Sequence, residues 1–142
     1  MMKVITNRDK ADKLLKMVKI NLFHIDSTYI FKHYFKDRDQ FEDFRDYYNS
    51  LEFRFEVDEN ELEDAVEKLV DQGFSVNIVE REDIPEYTVV IDKYKKHSHL
   101  LKKSVDVIEV GDEKALVLKD KVAKEEALDQ GKEPDEKWET RL

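Results

Sequence analysis

The chain has 142 residues and a formal net charge of −9, with 42% charged and 40% hydrophobic residues. This length and apolar content favour one folded domain with a buried core and argue against a disordered chain. The excess of acid argues against direct binding of DNA or RNA, which normally needs a basic surface. Because the chain has no cysteine, disulfides, thiolate metal sites and cysteine nucleophiles are excluded, and a reducing compartment is favoured.

The sequence contains no pattern typical of a membrane or export segment. No apolar run approaches the roughly 18 residues that a bilayer span requires, and the N-terminus lacks the apolar core of a signal peptide. We therefore expect a soluble, cytoplasmic protein without membrane contact. The chain has few glycines and prolines, three and two, and many lysines and acids. This composition is compatible with an AT-rich genome, such as that of a virus or a mobile element.

The first 50 residues predict alternating strand and helix. Residues 3–6 predict a short strand. The helix that follows, capped by Thr6 or Asn7, would place an apolar stripe on one face, formed by Ala11, Leu14, Leu15 and Val18. After an apolar run at 22–25 and a turn at 26–27, residues 28–35 predict a strand from their β-branched and aromatic side chains. A helix over 27–36 is left open as an alternative.

A second helix is predicted by Asp39 and Glu42, whose spacing is that of a capping box. Residues at helical spacing would form its apolar face, and these are Phe41, Phe44, Tyr48 and Leu51.

The stretch 51–80 predicts a strand, a helix and a second strand. Phe53, Phe55 and Val57 alternate with charged residues, which places the apolar side chains on one face of a strand and the charges on the other. Asp58 is the expected helix N-cap, and Gly73 is the expected left-handed residue after the helix. The buried stripe of this helix would contain Leu62, Ala65, Val66, Leu69 and Val70. Alternation resumes at 74–78, and two strands joined by a crossover helix should be parallel and right-handed within one sheet.

The remaining residues predict further strands and one more helix. A charged loop precedes a strand at 87–91, and residues 93–104 predict a weak helix with Tyr94, His97 and Leu101 on one side. A β-hairpin with arms at 105–110 and 115–118 turns at Gly111–Asp112. Residues 120–130 have a helix-forming composition, and the polar residues 131–142 are expected to fray.

These elements predict an α+β fold with an antiparallel or mixed sheet and helices on one face. The order β-α-β-β-α-β over about residues 51–110 is that of the ferredoxin-like arrangement, which hosts many unrelated functions. The same order can be written over 2–57, but the two copies would share a strand. We therefore expect a single α+β domain at 1–119, with an N-terminal part at 1–50 and a ferredoxin-like part at 51–119. A C-terminal helix and frayed tail would follow at 120–142.

Charge is distributed unevenly along the chain. Residues 1–21 carry a net charge of +4, residues 37–92 carry −14, and residues 93–104 carry +5. The acidic middle therefore lies between two basic segments, and an acidic surface is expected where the middle segment is exposed.

The helix of the central stretch carries a row of like charge, with Glu59, Glu63 and Glu67 at i, i+4 and i+8 and with Asp64 and Asp71 beside it. Like charges at this spacing cost about 0.2–0.5 kcal/mol per pair, so the row does not stabilise the helix. A solvated face, with acids favoured near the helix N-terminus, is the simpler interpretation. The functional interpretation is that these five residues bind a basic partner.

No catalytic, metal or cofactor site is predicted. The four histidines, His24, His33, His97 and His99, lack the spacing of a metal motif and are expected to be solvated or partly packed. A metal-dependent nuclease could use Asp92 and Asp112 with Lys114, although Asp112 is more simply a turn residue. An enzyme without a linear motif could use Asp92, Glu109 and Asp112. The glycines form no phosphate-binding loop.

Our first hypothesis is a protein that is not an enzyme, needs no cofactor and binds a basic protein surface through its acidic middle. The sharpest version is a small inhibitor or modulator of a nucleic-acid-binding protein, in which spaced carboxylates mimic phosphates. The first alternative is a ferredoxin-like regulatory domain or subunit that binds a small molecule in a pocket of polar groups near the strand ends. An enzyme without a linear motif is the second alternative, and the sequence leaves self-association open.

Overall fold

Two β-sheets pack face to face in residues 18–142, the part of the chain that a computed structural model describes. The first sheet contains β1 (Lys19–Ile25), β2 (Thr28–Phe31), β3 (Tyr48–Asn49), β4 (Arg54–Asp58) and β5 (Ser75–Val79). Its order is β3-β4-β2-β1-β5, with β1 and β5 parallel and the other neighbours antiparallel. The second sheet contains β6 (Thr88–Asp92), β7 (Ser104–Val110) and β8 (Glu113–Leu118), and it is antiparallel with β8 in the centre.

Helices cover the outer face of each sheet. The first sheet carries α1 (Arg38–Phe44) and α2 (Leu62–Asp71), and the second carries α3 (Ser98–Leu101) and α4 (Lys121–Leu128). A short helix, α5 (Glu136–Glu139), contributes Trp138 to the core between the sheets. Single 3-10 helices occupy Arg45–Tyr47, Glu59–Glu61 and Arg81–Tyr87. The predicted α+β class with a mixed sheet is therefore confirmed. Among the described residues, no helix combines the length and apolar character that a membrane span requires.

Alternating side chains bury both faces of the first sheet. Leu22 of β1 packs with Phe31 and Phe55 beneath α1 and α2. The next residue along β1, Phe23, points to the opposite face and packs edge-on against Tyr87, with ring centroids 5.2 Å apart. Because successive side chains of a strand point to opposite faces, an apolar run in β1 is what a strand between two cores needs.

Polar side chains also lie between the sheets. Arg54 donates from Nη1 to the carbonyl oxygen of Val105 in β7 (2.9 Å), and Lys32 donates from Nζ to that of Ser104 (3.1 Å). Burial lowers the pKa of Lys32, and the nearby positive charges of Lys119 and Arg54 lower it further. As predicted, the charged side chains of β4 lie on the face opposite its apolar side chains. This charged face packs against the second sheet.

The unit predicted over residues 51–80 is present. Its helical segment begins after Asp58, whose carboxylate accepts from the amide of Asn60 (3.1 Å), and it ends before Gly73, whose φ of +92° is left-handed. β4 and β5 are parallel, because β1 is parallel to β5 and two antiparallel pairings separate β1 from β4. The β1-β2 hairpin lies between them, so α2 crosses two intervening strands.

The ferredoxin-like arrangement over 51–110 is not confirmed. The predicted order of elements does occur along the chain, as β4, α2, β5, β6, α3 and β7. However, β4 and β5 belong to the first sheet, whereas β6 and β7 belong to the second. The order of elements does not decide which strands pair. Here β8, which lies beyond the predicted unit, pairs with both β6 and β7 and draws them into a separate sheet.

The predictions for residues 1–50 are correct in part. The predicted strand at 3–6 and the predicted helix after Asn7 lie outside the described residues, except for Val18 of the predicted stripe, which is not helical. Residues 28–31 form β2, so the helix alternative over 27–36 is wrong. The second helix, α1, is capped by Asp37 and not by Asp39, and it ends at Phe44. Tyr48 of its predicted stripe therefore lies in β3 and not on the helix.

The predictions after residue 92 are also correct in part. Residues 93–104 contain only the single turn α3, whereas the hairpin is confirmed, with Gly111 at φ +60° in its turn. The segment 131–142, which was expected to fray, packs against the rest of the fold. Its Lys132 exchanges two backbone hydrogen bonds with Val90 (2.8 and 2.9 Å), and Trp138 is 1% exposed.

Replacing Trp138 by alanine should therefore destabilise the whole fold. Deletion of a buried tryptophan side chain is expected to lower the free energy of unfolding by about 3–5 kcal/mol. Urea unfolding followed by circular dichroism measures this loss. Tyr34→Ala is the matched control, because Tyr34 is 82% exposed and its removal should change stability by no more than about 0.5 kcal/mol. Equal effects of the two changes would mean that α5 does not pack between the sheets.

Candidate interaction surface

The predicted acidic row is divided in the structure. Glu59 belongs to the 3-10 helix before α2, and its carboxylate accepts from Nε2 of His24 (2.9 Å). The other four residues, Glu63, Asp64, Glu67 and Asp71, are exposed on α2. They make no side-chain hydrogen bond or ion pair with any other residue of the range 18–142. The row that faces solvent on α2 is thus Glu63, Glu67 and Asp71, again at i, i+4 and i+8.

The acidic surface extends from α2 onto α1. Gln72, directly after α2, hydrogen-bonds through its side chain to Asp43 of α1, which joins the two helices. Residues 37–50 carry a net charge of −3 and residues 51–73 carry −7. We call this layer of α1, α2 and their flanking 3-10 turns the acidic layer. We call the layer of the second sheet, α3 and α4 the opposite layer. The acids of this layer and of the residues after it are more often paired, since each of four contacts a lysine within 4 Å, namely Glu109, Glu113, Glu126 and Glu133.

Exposed apolar side chains gather at one end of the first sheet. Eight large hydrophobic residues in the described range are exposed, and five of them lie where β1, β4 and β5 begin and β2 and α2 end. The helix reaches this end because it connects the end of β4 to the start of the parallel strand β5. We call this set the apolar end, and its members are Val18, Tyr34, Leu51, Phe53 and Val70.

The loop that carries Leu51 and Phe53 is held in a fixed shape. The side-chain oxygen of Asn49 accepts from the amides of Leu51 (3.0 Å) and Glu52 (3.1 Å). Phe53 has a left-handed φ of +56° and is 65% exposed, so its predicted place on the apolar face of β4 is wrong. A large residue in this region of φ is strained by roughly 1 kcal/mol or more.

A cluster around His24 lies at the opposite end of the sheet. Nδ1 of His24 is 2.8 Å from Oε2 of Glu80, Nε2 is 2.9 Å from Oε1 of Glu59, and the ring stacks on Tyr29 at 4.2 Å. Sequence reasoning treated His24 as solvated or partly packed and did not find this cluster. No local signal could reveal it, because its two carboxylates follow His24 by 35 and 56 residues.

The geometry of this cluster favours the protonated form of His24. A neutral imidazole has one donor and one acceptor, whereas a carboxylate only accepts. Both ring nitrogens lie within hydrogen-bond distance of a carboxylate, so the protonated ring, which has two donors, satisfies both contacts. The hydrogen bonds to Glu80 and then to Glu59 raise the pKa of His24, against a smaller opposing effect of burial. The cluster thereby ties the start of α2 to the ends of β1 and β5.

The nuclease and enzyme candidates lie near one another at one end of the second sheet, where Glu109 is opposite Lys114, but their carboxylates contact other groups, and that of Asp92 accepts from the amide of Tyr94 (2.9 Å). Asp112 accepts from the hydroxyl of Tyr94 (3.4 Å), Glu109 pairs with Lys93 (3.1 Å), and Lys114 is 3.2 Å from His97. Within residues 18–142 no group of three or more histidines and acids is arranged to hold a metal ion.

Comparison with models of protein families, with curated proteins and with solved structures finds no match for this chain. Support for the candidate surface therefore comes from its geometry alone.

Raising the pH through neutrality should weaken the fold through His24. Its pKa in the folded protein lies above its ordinary value of 6.5, so the charged ring stabilises the fold fully below about pH 6.5. This contribution is lost as the pH rises through the higher pKa of the folded state. Urea unfolding at several pH values should show the loss in the wild type and not in His24→Gln.

His33 is an internal control, because burial lowers its pKa and its contribution falls as the pH falls instead. An NMR titration of the imidazole protons should place His24 above the ordinary value and His33 below it. Glu80→Gln should lower the pKa of His24 more than Glu59→Gln does. A titration of His24 at or below pH 6.5 would show that the two carboxylates do not hold its proton.

Proposed function

We propose that this protein is a non-catalytic binding protein whose acidic layer and apolar end together engage a basic surface of another protein. The observation that carries the proposal is the position of the apolar end beside the acidic row of α2, which has no ion-pair partner among residues 18–142. Val70 and Asp71 are neighbours in the chain, and the loop of Leu51 and Phe53 lies at the same end of the sheet. Interfaces commonly combine buried aromatic and aliphatic anchors with a charged rim.

Both parts of this surface oppose the stability of the isolated chain. The like charges on α2 cost about 0.2–0.5 kcal/mol per i,i+4 pair, and the left-handed Phe53 costs roughly 1 kcal/mol or more. The side chain of Phe53, which is mostly exposed, gains little stabilisation from burial to offset this strain. Binding accounts for both costs, since a partner would bury the apolar side chains and neutralise the acids.

A basic partner is favoured over a second copy of the chain. Two copies that met through this surface would bring two acidic layers together, and juxtaposed like charges cost several kcal/mol. A basic protein surface would instead be attracted, and its rate of association would fall with salt. The sharpest version is a partner that itself binds nucleic acid, because carboxylates spaced along a helix can compete with phosphates for its lysines and arginines.

Reversing the charge of the row should release this partner. In the triple variant Glu63→Lys, Glu67→Lys and Asp71→Lys, loss of attraction and new repulsion should weaken affinity about tenfold or more, which corresponds to roughly 1.4 kcal/mol. The partner would first be captured from a lysate of the source cells at low salt, purified, and titrated by isothermal calorimetry at low and high salt. The wild type should lose affinity steeply as salt rises.

The matched control reverses three exposed acids of the opposite layer and its C-terminal extension, with Glu125→Lys, Asp129→Lys and Glu136→Lys. This variant has the same net charge as the first, so it separates the surface from the total charge. It should retain wild-type affinity to within about twofold. Affinity that is flat with salt, or equal losses in the two variants, would contradict the acidic layer as the binding surface. If the purified partner binds nucleic acid and this protein does not compete for it, the inhibitor version is wrong.

Phe53→Gly should separate binding from folding. Glycine adopts a left-handed φ without strain, and the aromatic ring is 65% exposed, so the free energy of unfolding should stay constant or rise by up to about 1 kcal/mol. Affinity for the partner should fall, because an aromatic anchor is lost. Tyr94→Gly is a control for removal of an exposed aromatic ring elsewhere. If the Phe53→Gly variant binds as tightly as the wild type, the apolar end is not part of the interface.

A further inference from the structure

A cavity of about 390 Å³ opens between the two sheets, at the end opposite to the apolar end. Its wall consists of the β1-β2 turn, the 3-10 helix after β5, strands β7 and β8, and residues 141–142. β1 and β5 are parallel and both end here. A crevice outside the carboxyl ends of parallel strands is a recurring place for ligands, and this volume lies in the range of small-molecule sites.

The inner wall of the cavity is apolar and branched. It is formed by Ile25 from β1, Ile84 from the 3-10 helix, and Ile108 and Val117 from the second sheet. These side chains come from four separate elements and converge on one space. They would accept a compact hydrocarbon group and exclude water from around it.

Charged groups of both signs line the same cavity. Arg81 donates from Nε to the main-chain oxygen of Leu142 (3.2 Å), and its terminal nitrogens make no hydrogen bond with another residue of the range 18–142. The guanidinium of Arg141 and the carboxylate of Asp26 make no hydrogen bond or ion pair with other residues of the described range. Two cations and one anion of the cavity therefore have side-chain atoms that no other group within residues 18–142 engages.

The other two charged groups of the cavity are already engaged. Asp106 pairs with Arg54 (3.2 Å) and accepts from the amide of Val107 (3.0 Å). Both nitrogens of His24 are held by Glu59 and Glu80. The histidine therefore contributes a fixed wall, and ligand recognition falls to Arg81, Arg141 and Asp26.

We propose that this cavity binds a small zwitterion with a branched apolar side chain, an aliphatic α-amino acid in chemical class. The ligand carboxylate pairs with the guanidinium groups of Arg141 and Arg81, which match its planar geometry. The ammonium group pairs with Asp26 in the β1-β2 turn, which lines the same cavity. The side chain enters the wall of Ile25, Ile84 and Ile108. This site lies at the end of the first sheet opposite to the apolar end, so the protein would bind a small molecule and a partner at opposite ends of one sheet.

An NMR titration of the full chain with L-leucine tests the proposal. Amide resonances of Ile25, Ile84 and Ile108 should shift and saturate at concentrations below about 10 mM. Two analogues of leucine test separately how much its amino group and its carboxyl group contribute to binding. In 4-methylpentanoate the amino group is missing, and in 3-methylbutylamine the carboxyl group is missing. Each should bind about tenfold more weakly than leucine or not at all.

Two variants test which charged residues of the cavity bind leucine, and each has a control. Arg141→Gln and Asp26→Asn should each weaken leucine about tenfold. Asparagine tolerates the left-handed φ of +55° at position 26, so the turn should survive, and urea unfolding checks this. Arg38→Gln and Asp129→Asn, on α1 and directly after α4, should leave binding unchanged.

Two results would overturn the proposal. If 4-methylpentanoate binds as tightly as leucine and Asp26→Asn has no effect, the cavity recognises a simple anion and the zwitterion is wrong. If none of the three molecules shifts the cavity resonances, the cavity is not a site for this class of ligand. Selective, saturable binding of leucine that depends on both Arg141 and Asp26 would support it.

Discussion

The contact between the two sheets is the interaction on which the rest of this structure depends. The inner face of the first sheet carries Phe23, Ile30 and Val79, and without the second sheet these apolar side chains would lie in water. The second sheet has only three strands, and it covers this face with Val90, Ala115 and Val117. Arg54 and Lys32 donate to backbone carbonyl oxygens of β7, and Lys32 also donates to that of Leu101 just before it. The polar side chains between the sheets therefore have hydrogen-bond partners.

Both proposed surfaces follow from this packing. The second sheet covers one side of the first sheet, and α1 and α2 lie on the far side. The lysine-rich segment 93–104 carries α3 on the outer face of the second sheet. The strands β1, β4 and β5 run in the same direction, so their starts meet at the apolar end and their ends meet at His24 and the cavity. The imidazolium of His24 holds the start of α2 against this second end through Glu59. The acidic layer is thereby attached to the same strands that form the wall of the cavity.

Local features of the structure were predictable from the sequence, whereas long-range pairing was not. The N-cap at Asp58, the left-handed Gly73 and the hairpin turn at Gly111 depend on residues close in the chain, and all three are present. The division of β4 to β7 between two sheets depends on β8, whose sequence does not specify the strands with which it pairs. Arg54 looked like a solvent-facing charge because its sequence neighbours alternate in polarity, and only the second sheet shows that it is partly buried. The exposed acids of α2 could be read from helical spacing, but the position of Phe53 could not, since β-strand alternation conceals a single left-handed residue.

The pairing of the strands can be measured directly by nuclear Overhauser effects in uniformly labelled protein. The two-sheet arrangement predicts cross-strand contacts from Leu116 to both Val107 and Val89, together with contacts between the rings of Phe23 and Tyr87 across the core. It also predicts that the backbones of β4 and β5 make no cross-strand contact with those of β6 or β7. A cross-strand contact between β4 or β5 and β6 or β7 within a single sheet would contradict the arrangement, and with it the positions of the acidic layer, the apolar end and the cavity.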